Sequence, residues 1–282
     1  MTDKPQREAV MFDCCGDRLV GVLERPMQET AKRGAVALFV VGGPQYRVGS
    51  HGLYSHMAAV INRAGIATLR FDVRGMGDSE GNSRQYYNID EDISSAVNYL
   101  QKINLQNPVL IGLCDGATAV VKYTIANKVS GGMILINPWL KSEQAEAKAF
   151  IKSYYIKKLL NTGYWKRLIT GKTNPVISIC SFIKNLSVSS GIRAKQTSNK
   201  KNSDKIDERA FFKALASYKG NILIILSEND LTAKRFEILL AKYKNDISKE
   251  NIEITYIKSA DHTFSRKDHS VYLGNVICNY FS

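Results

Sequence analysis

The sequence predicts an α/β protein built on a mostly parallel, doubly wound sheet of eight strands, interrupted late by a helical insertion. Three observations predict it. Continuous apolar runs such as AVALFVV (35–41) and VLI (109–111) have the length and composition of strands buried on both faces. Segments of helical periodicity separate these runs, and strands alternating with helices argue for a parallel sheet. At 108–126, PVLIGLCDGATAVVKYTIA, an apolar run passes through Gly112-Leu113-Cys114-Asp115-Gly116 into helix-like sequence. With 282 residues, 44% of them hydrophobic, the chain is long enough for one sizeable core plus an insertion.

Residues 1–8 are polar and expected to be loose. Met11–Cys15 and Leu19–Glu24 read as two short strands around a Gly16-Asp17 turn. The run at 35–41 is a central strand, followed by the loop Gly42-Gly43-Pro44-Gln45-Tyr46-Arg47. Leu53–Ala64 is a helix stopped at Gly65, and Ile66–Phe71 is the next strand. Asp72–Ser79 is a glycine-punctuated loop in which Asp72 and Arg74 are expected to tie neighbouring backbone together. Asp90 is expected to cap a helix reaching Lys102. After the strand at 109–111 and its helix comes a strand at 132–136, ending at Asn137-Pro138. The alternation breaks from Trp139 to about Arg209, and the stretch near 187–207, rich in Ser, Lys and Asn, reads as a flexible connection. It resumes with a strand at 222–226, a helix at 234–243, a strand at 252–257 and a closing helix at 272–281. The boundaries are therefore 1–138 for the first part of the core, 139–209 for a basic helical lid, and 210–282 for the second part.

Composition narrows the classes. No apolar run approaches the ~18–20 residues of a membrane span, and MTDKPQREAV has no apolar signal core. The five cysteines, Cys14, Cys15, Cys114, Cys180 and Cys278, are odd in number and irregularly spaced, which argues against a disulfide framework or a zinc site. A cytoplasmic protein without metal is expected. The insertion at 139–210 carries 15 Lys and Arg against 5 Asp and Glu, or +10 of the chain's +13. That charge, interleaved with aromatic residues, suits coenzyme A, an acidic acyl carrier protein or peripheral contact with an anionic membrane. It equally suits a lid whose lysines simply face water. Nucleic acid is not expected, because no recognised binding module accompanies the charge.

The loops that follow parallel strands lie at one edge of such a sheet, where ligands sit. Cys114, between two glycines at a strand-turn-helix junction, is the candidate nucleophile. The competing reading is a small buried hydrophobe filling a tight turn. Asp115 next to it works against a thiolate, so a partner base is needed. His262 is that candidate, in a turn after a late strand. His269 lies in a charged stretch, and His51 and His56 flank Gly52, with His51 able to reach the pocket mouth. Asp230, after the strand ILIILS, is the candidate acid, with Glu228 its rival. An oxyanion hole would take the Asp115 N–H and a second amide from the loop after Val41. Pro44 has no N–H, so that amide is Gly43 or Gln45, with Gln45 favoured. Arg47 in the same loop is a candidate for holding an anionic substrate group.

GLCDG, DVRGMGDSEG, SEND and ADHTFS resemble the α/β-hydrolase superfamily in its serine aminopeptidase-like branch, over nearly the whole chain. More narrowly, GGPQYRVGSH, GLCDGA and YYIKKLLNTGYWKRLITGK resemble the exosortase A system-associated hydrolases, type 1, found in bacterial exopolysaccharide clusters. The resemblance implies an α/β-hydrolase fold, a hydrolase of undefined substrate, no bound cofactor, and Cys114, Asp230 and His262 at the nucleophile, acid and base positions. The chain departs from the superfamily in having Cys for Ser and Gly42 for a loop histidine. The expected activity is hydrolysis of an ester or thioester. The alternatives are acyl transfer to an alcohol through the same acyl-enzyme, and a non-catalytic binding protein with an inert Cys114.

Overall fold

A computed structural model describes residues 6–27, 31, 34–127, 131–140, 206–247 and 250–282. The chain divides into two units, Met1–Lys141 with Asp204–Ser282, and Ser142–Ser203. The second unit, and with it the expected lid and flexible connection, lies outside the described residues. The first unit is an eight-stranded sheet in the order β1-β2-β4-β3-β5-β6-β7-β8. Its strands are β1 (Gln6–Cys14), β2 (Asp17–Arg25), β3 (Val36–Val40), β4 (Ala67–Phe71), β5 (Val109–Leu113), β6 (Met133–Ile136), β7 (Ile222–Ser227) and β8 (Ile252–Ile257). β1–β2 and β2–β4 pair antiparallel, and every pair from β4 onward is parallel.

The central strands are apolar throughout because both their faces are covered. Val36, Leu38 and Val40 join one core with Leu110, Leu135 and Ile224, while Ala37, Phe39 and Val41 join the other with Ile111, Ile136 and Ile225. Burying each such large side chain contributes ~1.5–3 kcal/mol, so the alternation along β3 anchors the sheet from both sides. One face is covered by α1 (Leu53–Arg63) and α7 (Lys267–Tyr280), which pack on each other. The other carries α2 (Asp90–Lys102), α3 (Asp115–Asn127), α4 (Glu208–Ser217), α5 (Leu231–Lys242) and the short α6 (Lys244–Ile247).

Several expectations are corrected. β1 starts at Gln6, within the stretch expected to be loose. Its first residues are exposed and polar, yet its backbone pairs with β2 from Gln6↔Arg25 to Cys14↔Asp17, a source of order that apolar patterning cannot register. The turn falls on Cys15-Gly16, both at positive φ (55° and 89°), which two-residue hairpins require. Asp90 does not cap α2. It is the first helical residue, the N-cap is Ile89, and its carboxylate instead takes Lys122 Nζ at 2.6 Å. α5 begins three residues early because Asp230 caps it. α7 begins at Lys267, so His269, in the charged stretch ahead of the expected closing helix, lies within that helix and is half-buried.

Register sets the site. Val40↔Gly112, Leu113↔Ile136, Ile136↔Ile225 and Ser227↔Ile257 bring the carboxyl ends of β3, β5, β6, β7 and β8 to one edge. Five loops distant in sequence open there together.

Candidate active site

Cys114 lies between β5 and α3 at φ 59°. A left-handed conformation for a non-glycine residue costs ~1–2 kcal/mol, and three hydrogen bonds hold it. Its N–H donates to Ile136 O at 2.9 Å, and its carbonyl accepts from Ala117 N and Trp139 N, both at 3.2 Å. The flanking glycines are needed for close approach. A β-carbon at Gly112 would lie 2.5 Å from Ala117 N and from Gly116 C and O, and one at Gly116 would lie 2.7 Å from Val40 O. The helix must start against the strand, which drives the thiol up into the cavity.

Asp230 ends the turn after β7 and is 6% exposed. Its carboxylate caps α5 through Thr232 N (3.1 Å) and Ala233 N (3.0 Å) and meets His262 Nδ1 at 2.8 Å. The rival Glu228 is exposed and takes Ser259 N at 2.7 Å, which leaves Asp230 as the carboxylate on the imidazole. His262, after β8, also lies close enough to Cys114 for the thiol to act on it. Burial alone would lower the basicity of His262, but Asp230 and the nearby Cys114 outweigh it and raise the pKa to about 10. Asp230 on the ring therefore favours the cationic form of His262. Cys114, Asp230 and His262, 116 and 32 residues apart in sequence, are brought to one site.

The cavity over Cys114 encloses about 420 Å³ and is lined by Gly43, Pro44, Met76, Tyr86, Asp115 and Trp139, among others. Gly43 and Asp115 thus lie where an oxyanion hole is wanted. Gln45 does not. Its N–H donates to Gly43 O at 2.9 Å, so the amide favoured from sequence is already committed, and Gly43 is the candidate second donor. Arg47 is likewise corrected. Its backbone N–H donates to Asp72 at 2.6 Å, and its guanidinium pairs with Asp72 and with Asp78 (2.5 Å), away from the cavity lining. His51 is exposed in a short 3-10 turn, Ser50–Gly52, and also stays off the lining.

The Asp72–Ser79 loop ties its neighbours as expected. Asp72 holds the loop after β3 through Arg47, and Arg74 holds α2 through Asp92 at 2.9 Å and Glu91 at 2.5 Å. It also lends Met76 to the cavity, and the loop's continuation lends Ser83–Tyr86. Sequence reasoning missed these contributions, and it missed Asn137. Fully buried at φ 43°, Asn137 donates to Ser227 Oγ (2.9 Å) and His262 O (3.1 Å) and accepts from Ser227 N (2.8 Å). It clasps the ends of β6 and β7 to the His262 turn. A polar side chain at a strand's carboxyl end, before Pro138, was the available signal.

The family described as serine aminopeptidase, S33, matches residues 46–217, which include the Cys114 elbow. The chain belongs to that family. The S33 name specifies serine chemistry, whereas the elbow residue here is cysteine. No curated protein matches the chain. Among solved structures, an α/β serine hydrolase homologue from Coxiella burnetii is 14% identical with a TM-score of 0.59, covering 98% of this chain and 97% of that one. Est1E of Butyrivibrio proteoclasticus, solved with ferulic acid bound, is 14% identical at TM-score 0.62 over 97% and 98%. An esterase domain from Rhodothermus marinus is 16% identical at TM-score 0.59 over 98% and 97%. At these identities the likeness establishes the α/β-hydrolase fold. Among the described residues no three or more His, Cys, Asp or Glu side chains cluster as metal ligands, and no helix is long and apolar enough to cross a membrane.

Proposed function

We propose that this S33-family hydrolase cleaves an ester or thioester through an acyl-enzyme on Cys114. The observation that carries the reading is the Asp230–His262 pair beside Cys114, with the thiol held at φ 59° over the cavity. The sulfur attacks the carbonyl carbon and the carbonyl π pair moves to oxygen, where the N–H groups of Gly43 and Asp115 receive it. Collapse of the tetrahedral species expels the alkoxide or thiolate, which takes the proton from His262. Neutral His262 then accepts a proton from water as the hydroxide adds to the acyl carbon. The acid leaves, sulfur regains its pair, and the proton remains on the imidazole. Asp230 orients the ring and stabilises its cationic form throughout.

A thiol nucleophile and a chain of net charge +13 favour an acyl thioester on an anionic carrier, coenzyme A or an acyl carrier protein, in the cytoplasm. The resemblance to exosortase A system-associated hydrolases supports a role for such a reaction in exopolysaccharide metabolism. The decisive experiment is a panel of acyl thioesters and esters on the wild type and Cys114→Ala, with mass spectrometry for an acyl group on Cys114. Turnover retained in Cys114→Ala refutes the reading. Ester product formed when an alcohol is added identifies transfer in place of hydrolysis.

A further inference from the structure

The reaction just proposed needs the slot between the loop after β3 and the start of α3 for its oxyanion. That slot is filled by the side chain of Asp115. One carboxylate oxygen, Oδ1, lies so close to Gly42 that a β-carbon there would run into it, and Oδ2 would lie 2.9 Å from a β-carbon at Gly43. A β-carbon at Gly42 would meet both Oδ1 and Gly116 N, so the carboxylate sits between the loop and the first turn of α3. Gly42, where the superfamily carries a histidine, has no room for any side chain, since a β-carbon would also strike Gly116 N. A carboxylate at a helix start is favourably placed, so an incoming carbonyl must displace it from this gap.

We infer that the Asp115 carboxylate is a gate on the oxyanion site, occupying in the resting enzyme the position that the substrate's carbonyl oxygen takes in the transition state. The inference rests on the acyl-enzyme reading above. Rotation about the Asp115 side chain opens the site while the backbone donor stays in place, and no bond is made or broken in the gating step. The groups facing the carboxylate are the His262 imidazolium, Cys114, and the hydroxyls of Tyr54 from α1 and Tyr86 from the 3-10 turn Tyr86–Asn88. Among the described residues, an opened Asp115 can turn toward the His262 imidazolium or toward Arg84, which lines the same cavity. Substrates whose binding supplies a positive group would help to draw it out.

Two reagents separate the gate from the nucleophile. p-Nitrophenyl acetate acylates sulfur through a tetrahedral oxyanion, whereas iodoacetamide alkylates it by displacement of iodide with no oxyanion at all. Both rates on Cys114 are measured by mass spectrometry in the wild type, Asp115→Asn and Asp115→Ala. Any change in thiol reactivity or folding moves both rates, and their ratio isolates the oxyanion site. One oxyanion donor is worth ~10²–10³ in rate, so the ratio of acylation to alkylation is expected to rise on the order of tenfold or more in both variants. An unchanged or lower ratio, with Cys114 acylated in the wild type, overturns the gate alone. Alkylation without acylation in all three proteins overturns the acyl-enzyme reading and the gate with it.

Discussion

Cys114 sits in a backbone conformation that a cysteine adopts only under constraint, and everything that constrains it also aims it. Cys114→Ala keeps the turn and removes sulfur, so acyl-enzyme formation is expected to vanish with the melting temperature little changed. His262 carries the pH dependence. Its pKa is raised from 6.5 in the unfolded chain to about 10 in the fold. The pair with Asp230 therefore contributes its full stability below pH 6.5 and loses it as pH rises toward 10. Denaturant titrations at pH 6 and pH 10 are expected to diverge in the wild type and to converge in Asp230→Asn, whose His262 resonance should titrate at lower pH. Equal divergence in both proteins would show that this pair does not set the slope. Asn137→Ala leaves the Ser227 amide without its buried acceptor, at ~1–3 kcal/mol. It frees the His262 turn, so kcat should fall while KM holds.

At the scale of elements, the loop after β3 and the loop after β4 are one mechanical unit. Asp72 is fully buried and binds Arg47 through both backbone and side chain, while Arg70 holds Arg47 O at 3.1 Å and Glu24 at 2.8 Å. Removing one partner strands a buried charge, so Arg47→Met is expected to cost ~3–5 kcal/mol in urea denaturation and to speed amide exchange across 42–52. The exposed pair Arg18–Glu80, 67% and 45% accessible, is the control. Its loss should cost under ~1 kcal/mol. The strand-to-helix junction is equally unforgiving. Gly112→Ala places a methyl on the backbone of α3's first turn, and loss of soluble folded protein is the expected result, read by expression and circular dichroism.

For the whole molecule, a parallel sheet with both faces covered delivers every loop of the site to a single edge, and it does so through register. Sliding β8 by one residue against β7 would invert its faces and withdraw His262 from Asp230. The chain's net charge of +13 acts at this scale too. Electrostatic steering fades as the Debye length shrinks from ~30 Å at 0.01 M salt to ~8 Å at 0.15 M. The kcat/KM for an acyl-coenzyme A is thus expected to drop with ionic strength, while that for a neutral p-nitrophenyl ester stays level. Equal slopes would remove charge from the account of substrate choice.

The order of strands and helices, the elbow at Cys114, and the candidacy of Asp230 and His262 were legible in the chain alone. Apolar runs report burial, glycines report close approach, and loops after parallel strands share an edge by construction. The sequence could not say which groups at that edge are free. Arg47 and Gln45 looked available, but a buried Asp72 claims the first and a turn to Gly43 the second. Met76 and Tyr86 gave no local sign of their roles, and Asn137 gave only its place before Pro138, because each acts on partners far away in sequence. The sequence by itself determined the sheet and the chemical identities of its three site residues, since periodicity and spacing are local properties. Only the tertiary structure decided that Asp230 and not Glu228 meets His262, and that Asp115 fills the slot beside Cys114. Hydrogen-bond partners and filled space depend on which distant atoms arrive first, and no local pattern records that.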